Sequence, residues 1–247
     1  ETYSYQNTEA QKAEMFIYTG LSKYIQNDYE GALTDFTEAI GLIPNVPGVI
    51  FLARGNTKYD LKDYYGAISD YTKAIEINPN YAEAYYNRGL SKYDLEDYYG
   101  AISDYTKAIE IDPNFADAYY NRGLSKYDLG DYEGAIADYD KTIDIDPNLA
   151  VGYSNRASSK AKLKDYKGAI ADLTKAIEID PNFAEAYYNR GLAKYDLKDY
   201  KGAISDFTKA MEINPNNAYA YYNRGLAKDY LKDYKGAIAD YTKAIEI

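Results

Sequence analysis

The most regular feature of this chain is the spacing of its apolar and small positions. Between Ala82 and Leu95 they fall at Tyr85, Gly89 and Leu90; between Tyr98 and Ile111 they fall at Ala101, Ile102, Tyr105, Ala108 and Ile109. Both runs follow the i, i+3, i+4, i+7 spacing of one helical face, which predicts two amphipathic helices. Asp97 stands where the second helix begins, a place where a short carboxylate accepts free backbone N–H groups. Asp28, Asp63, Asp131, Asp165, Asp199 and Asp233 hold the same place elsewhere in the chain. A proline, which cannot continue a helix, then closes the pair.

The helix pair recurs. Pro79, Pro113, Pro147, Pro181 and Pro215 are each 34 residues apart, as are Gly66, Gly100, Gly134, Gly168, Gly202 and Gly236. Gly31 to Gly66 is 35 residues, the extra one falling in the Pro44–Gly48 loop, where an insertion disturbs no helix. With slots numbered 1 to 34, the repeats are 13–47, 48–81, 82–115, 116–149, 150–183, 184–217 and 218–247. No boundary has a linker composition, so one continuous domain is expected, with 1–12 as an N-terminal extension or the start of the first helix.

The small residues Gly89 and Ala101, the aromatics Tyr85, Tyr98 and Tyr105, then Ala108 and Pro113 together resemble the signature of the tetratricopeptide repeat family. The resemblance spans about residues 13–247. It implies an all-α fold, a right-handed superhelical solenoid of antiparallel helix pairs. Ala157 replaces the slot-8 glycine of the fifth repeat, and Thr142 replaces the later alanine of the fourth. A second pattern joins the helices of a pair. Slot 7 is Arg54, Arg88, Arg122, Arg156, Arg190 and Arg224; slot 23 is Asp35, Asp70, Asp104, Asp138, Asp172, Asp206 and Asp240. A bidentate Arg–carboxylate pair between the two slots would fix helix register.

Composition narrows the function classes. The 247 residues carry 28 basic and 39 acidic side chains, a net charge of −11. That balance argues against a nucleic-acid partner, which needs clustered Lys and Arg, and suits a basic protein partner. With no Cys and no His, the chain has no thiolate nucleophile, no Cys/His zinc site and no histidine acid–base chemistry. Carboxylates recur with the repeat instead of converging on one site, so no catalytic residue, metal or cofactor is expected. No apolar run reaches the roughly 20 residues of a membrane helix, so direct membrane insertion is not expected. The compartment stays open between cytosol, periplasm and organelle. A chain that opens on Glu1 is expected to be a processed product or an excised part of a longer one.

The resemblance implies that slots 2, 5, 6, 9, 12 and 13 of the first helix face a concave groove. Slot 6 supplies Asn87, Asn121, Asn155, Asn189 and Asn223, an amide ladder able to hold an extended peptide backbone. This is similar to the asparagine ladders of O-GlcNAc transferase repeat arms and armadillo arrays. The alternative is that each amide bonds a neighbouring helix. Slot 5 supplies Tyr86, Tyr120, Tyr188 and Tyr222, and slot 12 supplies Tyr24, Tyr59, Tyr93, Tyr127 and Tyr195. Such rings serve either recognition or helix-pair packing. Groove acids are expected at Glu83, Asp117 and Glu185, and at Asp60, Asp94, Asp128 and Asp196; they would favour a Lys- or Arg-bearing segment.

The fifth repeat breaks the pattern with Val151, Ser154, Asn155, Ser158, Ala161 and Lys162, flanked by Lys160 and Lys164. A wider, less acidic pocket is expected there, suited to a bulky or carboxylate-bearing partner residue; neutral drift would leave the same letters. The carboxylate clamp of chaperone-tail-binding family members is incomplete, because Leu52, Asp117 and Asn121 stand where its basic residues belong. The reading is a peptide- or protein-binding scaffold. One alternative is an assembly scaffold that docks or self-associates through its second helices and its C-terminal end face, where Ile238, Tyr241, Ala244, Ile245 and Ile247 have no following helix. Another is the targeting arm of a larger enzyme.

Overall fold

A computed structural model describes the backbone of residues 2–247 and the side chains from residue 8 onward. Among the described residues there are fourteen α-helices and no strand. They are α1 (Thr2–Ile25), α2 (Tyr29–Leu42), α3 (Gly48–Asp60), α4 (Tyr64–Ile77), α5 (Ala82–Asp94), α6 (Tyr98–Ile111) and α7 (Ala116–Asp128). Then follow α8 (Tyr132–Ile145), α9 (Ala150–Lys162), α10 (Tyr166–Ile179), α11 (Ala184–Asp196), α12 (Tyr200–Ile213), α13 (Ala218–Tyr230) and α14 (Tyr234–Glu246). Odd helices are the first (A) and even helices the second (B) of each pair. Residues 2–12 lie within α1.

The A–B turn is built the same way every time. Slot 15 sits in the left-handed region in all seven repeats, at Asn27, Lys62, Glu96, Gly130, Lys164, Lys198 and Lys232 (φ 60 to 82°). This lets the following amide reach back to helix A, as Asp63 N–H does to the Lys58 carbonyl at 2.8 Å. The slot-16 aspartate then caps helix B: Asp63 Oδ1 accepts from the Gly66 N–H at 2.9 Å, and Asp97 from Gly100 at 3.0 Å. A Cβ at Gly66 would overlap that carboxylate, so the cap itself demands glycine three residues on.

The chain gathers into two compact bodies, residues 1–125 and 126–247. In the first, α1 packs on α2, α3 on α4 and α5 on α6, and α2 and α4 pack on the A helices that follow them. The second repeats this from α8 through α14. In each body successive A helices also touch, as α3 touches α5 and α9 touches α11. The helices approach closely because alanines are fully buried where they meet: Ala67, Ala74 and Ala84 in the first body, Ala169, Ala176 and Ala186 in the second. The largest buried side chain of most pairs is the slot-24 ring, at Phe36, Tyr71, Tyr105, Tyr139 and Phe207. It lies against the slot-8 glycine, close enough that a Cβ on Gly55 would come within 2.6 Å of Tyr71 Cε1.

Candidate functional site

The Arg–Asp pairing expected from the sequence is present and larger than the two slots suggest. Arg88 donates from Nε and Nη2 to Asp104 at 2.9 and 2.7 Å. Lys92, at slot 11, reaches the same carboxylate at 2.7 Å. Arg88 also stacks on the Tyr85 ring and donates to the Thr72 hydroxyl of the preceding repeat at 3.1 Å. Arg54, Arg190 and Arg224 repeat the arrangement with Asp70, Asp206 and Asp240. Arg156 pairs with Asp172 and reaches Asp140 where the others find a threonine. Burial alone would push the Asp240 carboxyl up; the hydrogen bonds and charges of Arg224 and Lys228 outweigh it and hold the group below the usual carboxylate range. The slot-11 lysine recurs in every repeat and the slot-25 threonine in all but the fourth, so both members of the network also carry the period. The network ties helix A to its own helix B and to the repeat before it, which makes it structural.

On the A-helix face, most of the slot-6 amides are already engaged. Asn87 Nδ2 donates to Asn56 Oδ1 at 2.9 Å, and the Tyr71 hydroxyl donates to the same oxygen at 2.9 Å. Asn121 Nδ2 donates to the Tyr86 hydroxyl at 3.1 Å and to the Asp117 carbonyl at 2.9 Å. Asn223 does the same with Tyr188 and the Tyr219 carbonyl. In Asn121 and Asn223 both amide protons are thus spoken for, and what they still offer is a carbonyl acceptor. Asn189 differs. Its slot-5 neighbour in the repeat before is Ser154 in place of a tyrosine, and no hydrogen bond holds its side chain among the described residues.

The tyrosines split by slot. At slot 5, Tyr86 lies between the rings of Tyr105 (5.8 Å) and Phe115 (4.8 Å), and Tyr188 lies on Phe207. Tyr222 rests on Tyr241 and is half exposed. At slot 12, Tyr59, Tyr93, Tyr127 and Tyr195 each meet the slot-17 tyrosine of their own helix B edge to face at 5.3–5.5 Å. From the same slot of the first repeat, Tyr24 donates its hydroxyl to Asp60 Oδ2, at slot 13 of the next, at 2.6 Å, and Asp94 at the following slot 13 helps to raise the Tyr59 phenol. Glu83, Asp117 and Glu185 are exposed.

Two hollows open on this face, one in each body, at matching slots. Tyr24, Asn56, Tyr59, Asp60, Tyr71, Asn87 and Leu90 line a cavity of about 190 Å³. Slot for slot, Tyr127, Ser158, Ala161, Lys162, Leu173, Asn189 and Leu192 line one of about 330 Å³. The larger is the pocket expected at the fifth repeat. Lys160 does not belong to it; its ammonium is held on Asp172 at 2.8 Å. At the C-terminal end, Ala218, Tyr219, Tyr222, Tyr241, Ala244 and Ile245 line a third hollow of about 550 Å³, with Ile245 86% exposed.

Burial raises several of these phenols. Burial, with the Asp117 charge adding and the Asn121 hydrogen bond opposing, pushes Tyr86 up to about 12. Burial pushes Tyr71 and Tyr105 up further, and Tyr24 and Tyr59 rise through burial and their aspartate partners. A group raised in the folded state stabilises the fold fully below its unfolded value, about pH 10 for tyrosine, and loses that contribution as pH climbs from there. Phenolate absorbance at 295 nm is therefore expected to rise in two stages, the second coinciding with loss of helical circular dichroism. A titration that runs to completion with the helices intact would contradict the burial assigned to these rings.

These features define a repeat scaffold, with a structural ion network inside and a polar-aromatic face along its A helices. Models of the tetratricopeptide repeat match residues 55–95, 89–130 and 157–198, and residues 116–149, 184–217 and 218–247. The chain belongs to the tetratricopeptide repeat family and is built as an interaction scaffold. Among solved structures it is similar to MamA, with 29% sequence identity and a TM-score of 0.62 over 64% of this chain and 92% of that one. It is similar to YrrB, described as a TPR protein with an unusual peptide-binding site, at 28% identity and TM-score 0.62, over 71% and 91% of the two chains. A tetratricopeptide repeat protein of Parabacteroides merdae shares the fold over 96% of this chain and 93% of its own, at 20% identity and TM-score 0.74. No functionally curated protein matches the sequence. Among the described residues no helix is long and apolar enough to cross a membrane.

Proposed function

We propose that the A-helix face of each body binds an extended peptide segment bearing Lys or Arg. The observation that carries this reading is the pair of open hollows at matching slots 6, 9, 12 and 13. Exposed acids border the same face, at Asp60, Glu83, Asp94, Asp117, Glu185 and Asp196. Two satisfied amide protons on Asn121 and Asn223 leave carbonyl oxygens to accept main-chain N–H groups of such a segment. The related YrrB, with its peptide-binding site, supports the reading.

Selection of a random peptide library on the purified chain tests it. The expected winners carry Lys or Arg, bind more weakly as salt rises, and lose affinity when Asp60 and Asp94 are both changed to lysine. A second reading, docking or self-association through the C-terminal end face, draws support from the exposed Ile245 beside the hollow at Tyr219 and Tyr241. If the winners are apolar and Ile245→Asp abolishes binding while the lysine changes do not, that second reading replaces the first.

A further inference from the structure

The two hollows of the A-helix face occupy the same slots, so each shows what the other has lost. In the second repeat, Tyr59 narrows its hollow: the ring meets Tyr64 edge to face at 5.5 Å, and Asp94, at slot 13 of the next repeat, helps to raise its phenol. Tyr24, at the same slot of the first repeat, donates its hydroxyl to Asp60 at 2.6 Å. In the fifth repeat the two groups that a slot-12 tyrosine meets survive, the slot-17 ring and the slot-13 carboxylate of the next repeat, while the tyrosine itself is gone. Slot 12 is Ala161, so Tyr166 presents an uncovered ring at slot 17 and Asp196 a carboxylate with no hydrogen bond or ion pair among the described residues. Leu173 stands where Tyr71 stands, and Ser158 turns its hydroxyl back to the Ser154 carbonyl at 3.1 Å, which widens the space further. Asn189, at the same wall, has lost both amide partners used elsewhere, the slot-9 asparagine and the slot-5 tyrosine.

We infer that this cavity is a socket for a tyrosine side chain of a bound partner segment. The guest ring fills the space vacated at Ala161 and packs edge-on against Tyr166. Its hydroxyl donates to Asp196 as Tyr24 donates to Asp60, and Asn189 gives its amide protons to a main-chain carbonyl of the same segment. Asp196 and Asn189 are seven residues apart on one helix face, about 10 Å, so they bond different groups of one extended guest. A phenol fits the chemistry better than a carboxylate, because Asp196 and Lys162 both line the socket and a second carboxylate would face Asp196. The assignment rests on the peptide-binding reading above and names the side chain that reading leaves open.

The probe is a blocked five-residue peptide, glycines around a central tyrosine, titrated into the isotope-labelled chain by NMR. Saturable shifts are expected at the Asn189 side-chain amide and the Tyr166 ring. The phenylalanine version is expected to bind about tenfold more weakly, the scale of one hydrogen bond to a charged group, and the alanine version more weakly still. Ala161→Tyr restores the residue found at slot 12 of five other repeats, so it is expected to fold, to raise the melting temperature and to abolish the shifts. Equal binding of the tyrosine and alanine peptides, or unchanged binding by A161Y, would overturn the socket. If A161Y binds normally but the Asp60 and Asp94 lysine variant does not, the groove stands and the socket alone fails; if neither change matters, both fall. Dimerisation that A161Y removes would reassign the guest to a second copy of this chain and overturn the foreign partner.

Discussion

Asp104→Ala is expected to cost about 3–5 kcal/mol, the range for removing one partner from a buried ion pair. The carboxylate is only 4% exposed and accepts from both Arg88 and Lys92. Its loss leaves two cations without their anion in a partly buried site. Arg88 cannot simply leave, because it remains stacked on Tyr85 and bonded to Thr72. Against a typical total of 5–15 kcal/mol, that is a large share. Repeats contact only their neighbours, so the damage should stay local and split the unfolding transition. Urea denaturation is expected to lose its single step, and hydrogen exchange to quicken first in α5 and α6. Asp104→Asn keeps the shape but turns an amide toward one cation, so it should fall between wild type and alanine. A uniform shift of one cooperative transition would mean the bodies do not unfold repeat by repeat.

This network also shows what a repeat sequence tells and what it withholds. A period of 34 assigns each residue a slot, and slots 7 and 23 recur as Arg and Asp without a break from the second repeat on. Opposite charges at fixed slots on the two helices of a pair are legible as a contact. The amide ladder was less so. That Asn121 meets the Tyr86 hydroxyl, 35 residues away, depends on how far one A helix is offset along the next. No periodicity gives that offset. The turn at slot 15 hides for another reason: its left-handed residue is Asn, Lys or Glu in six repeats, and only Gly130 advertises the conformation. The fifth-repeat pocket was legible because it is a departure from a pattern. The missing tyrosine is legible at Ala161, but what its absence leaves depends on how the other rings sit, as the matching hollow around Tyr24, Tyr59 and Tyr71 shows.

A second exchange beside the pocket, at slots 8 and 24, makes the second prediction, a change of sign. Gly191 faces the ring of Phe207, and a Cβ there would lie 2.7 Å from Cε1 and 2.8 Å from Cδ1. Phe207 is fully buried, so its ring has no room to retreat. Gly191→Ala is therefore expected to destabilise by about 1–3 kcal/mol, the usual cost of overpacking, despite alanine's advantage within a helix. The fifth repeat pairs Ala157 with Leu173 at the same two slots, both buried. In a Phe207→Leu background the clash is gone and the helix advantage of alanine, about 1 kcal/mol, is left uncovered. There the same Gly191→Ala change should stabilise. Phe207→Leu alone should cost about 1–2 kcal/mol for the ring volume it removes. Urea denaturation of the four proteins measures the coupling, expected at about 2 kcal/mol or more between side chains in contact. If Gly191→Ala destabilises equally in both backgrounds, the glycine answers to the backbone of α11 and not to the ring. The alanine–leucine pair of the fifth repeat would then be two separate changes, not one coupled exchange.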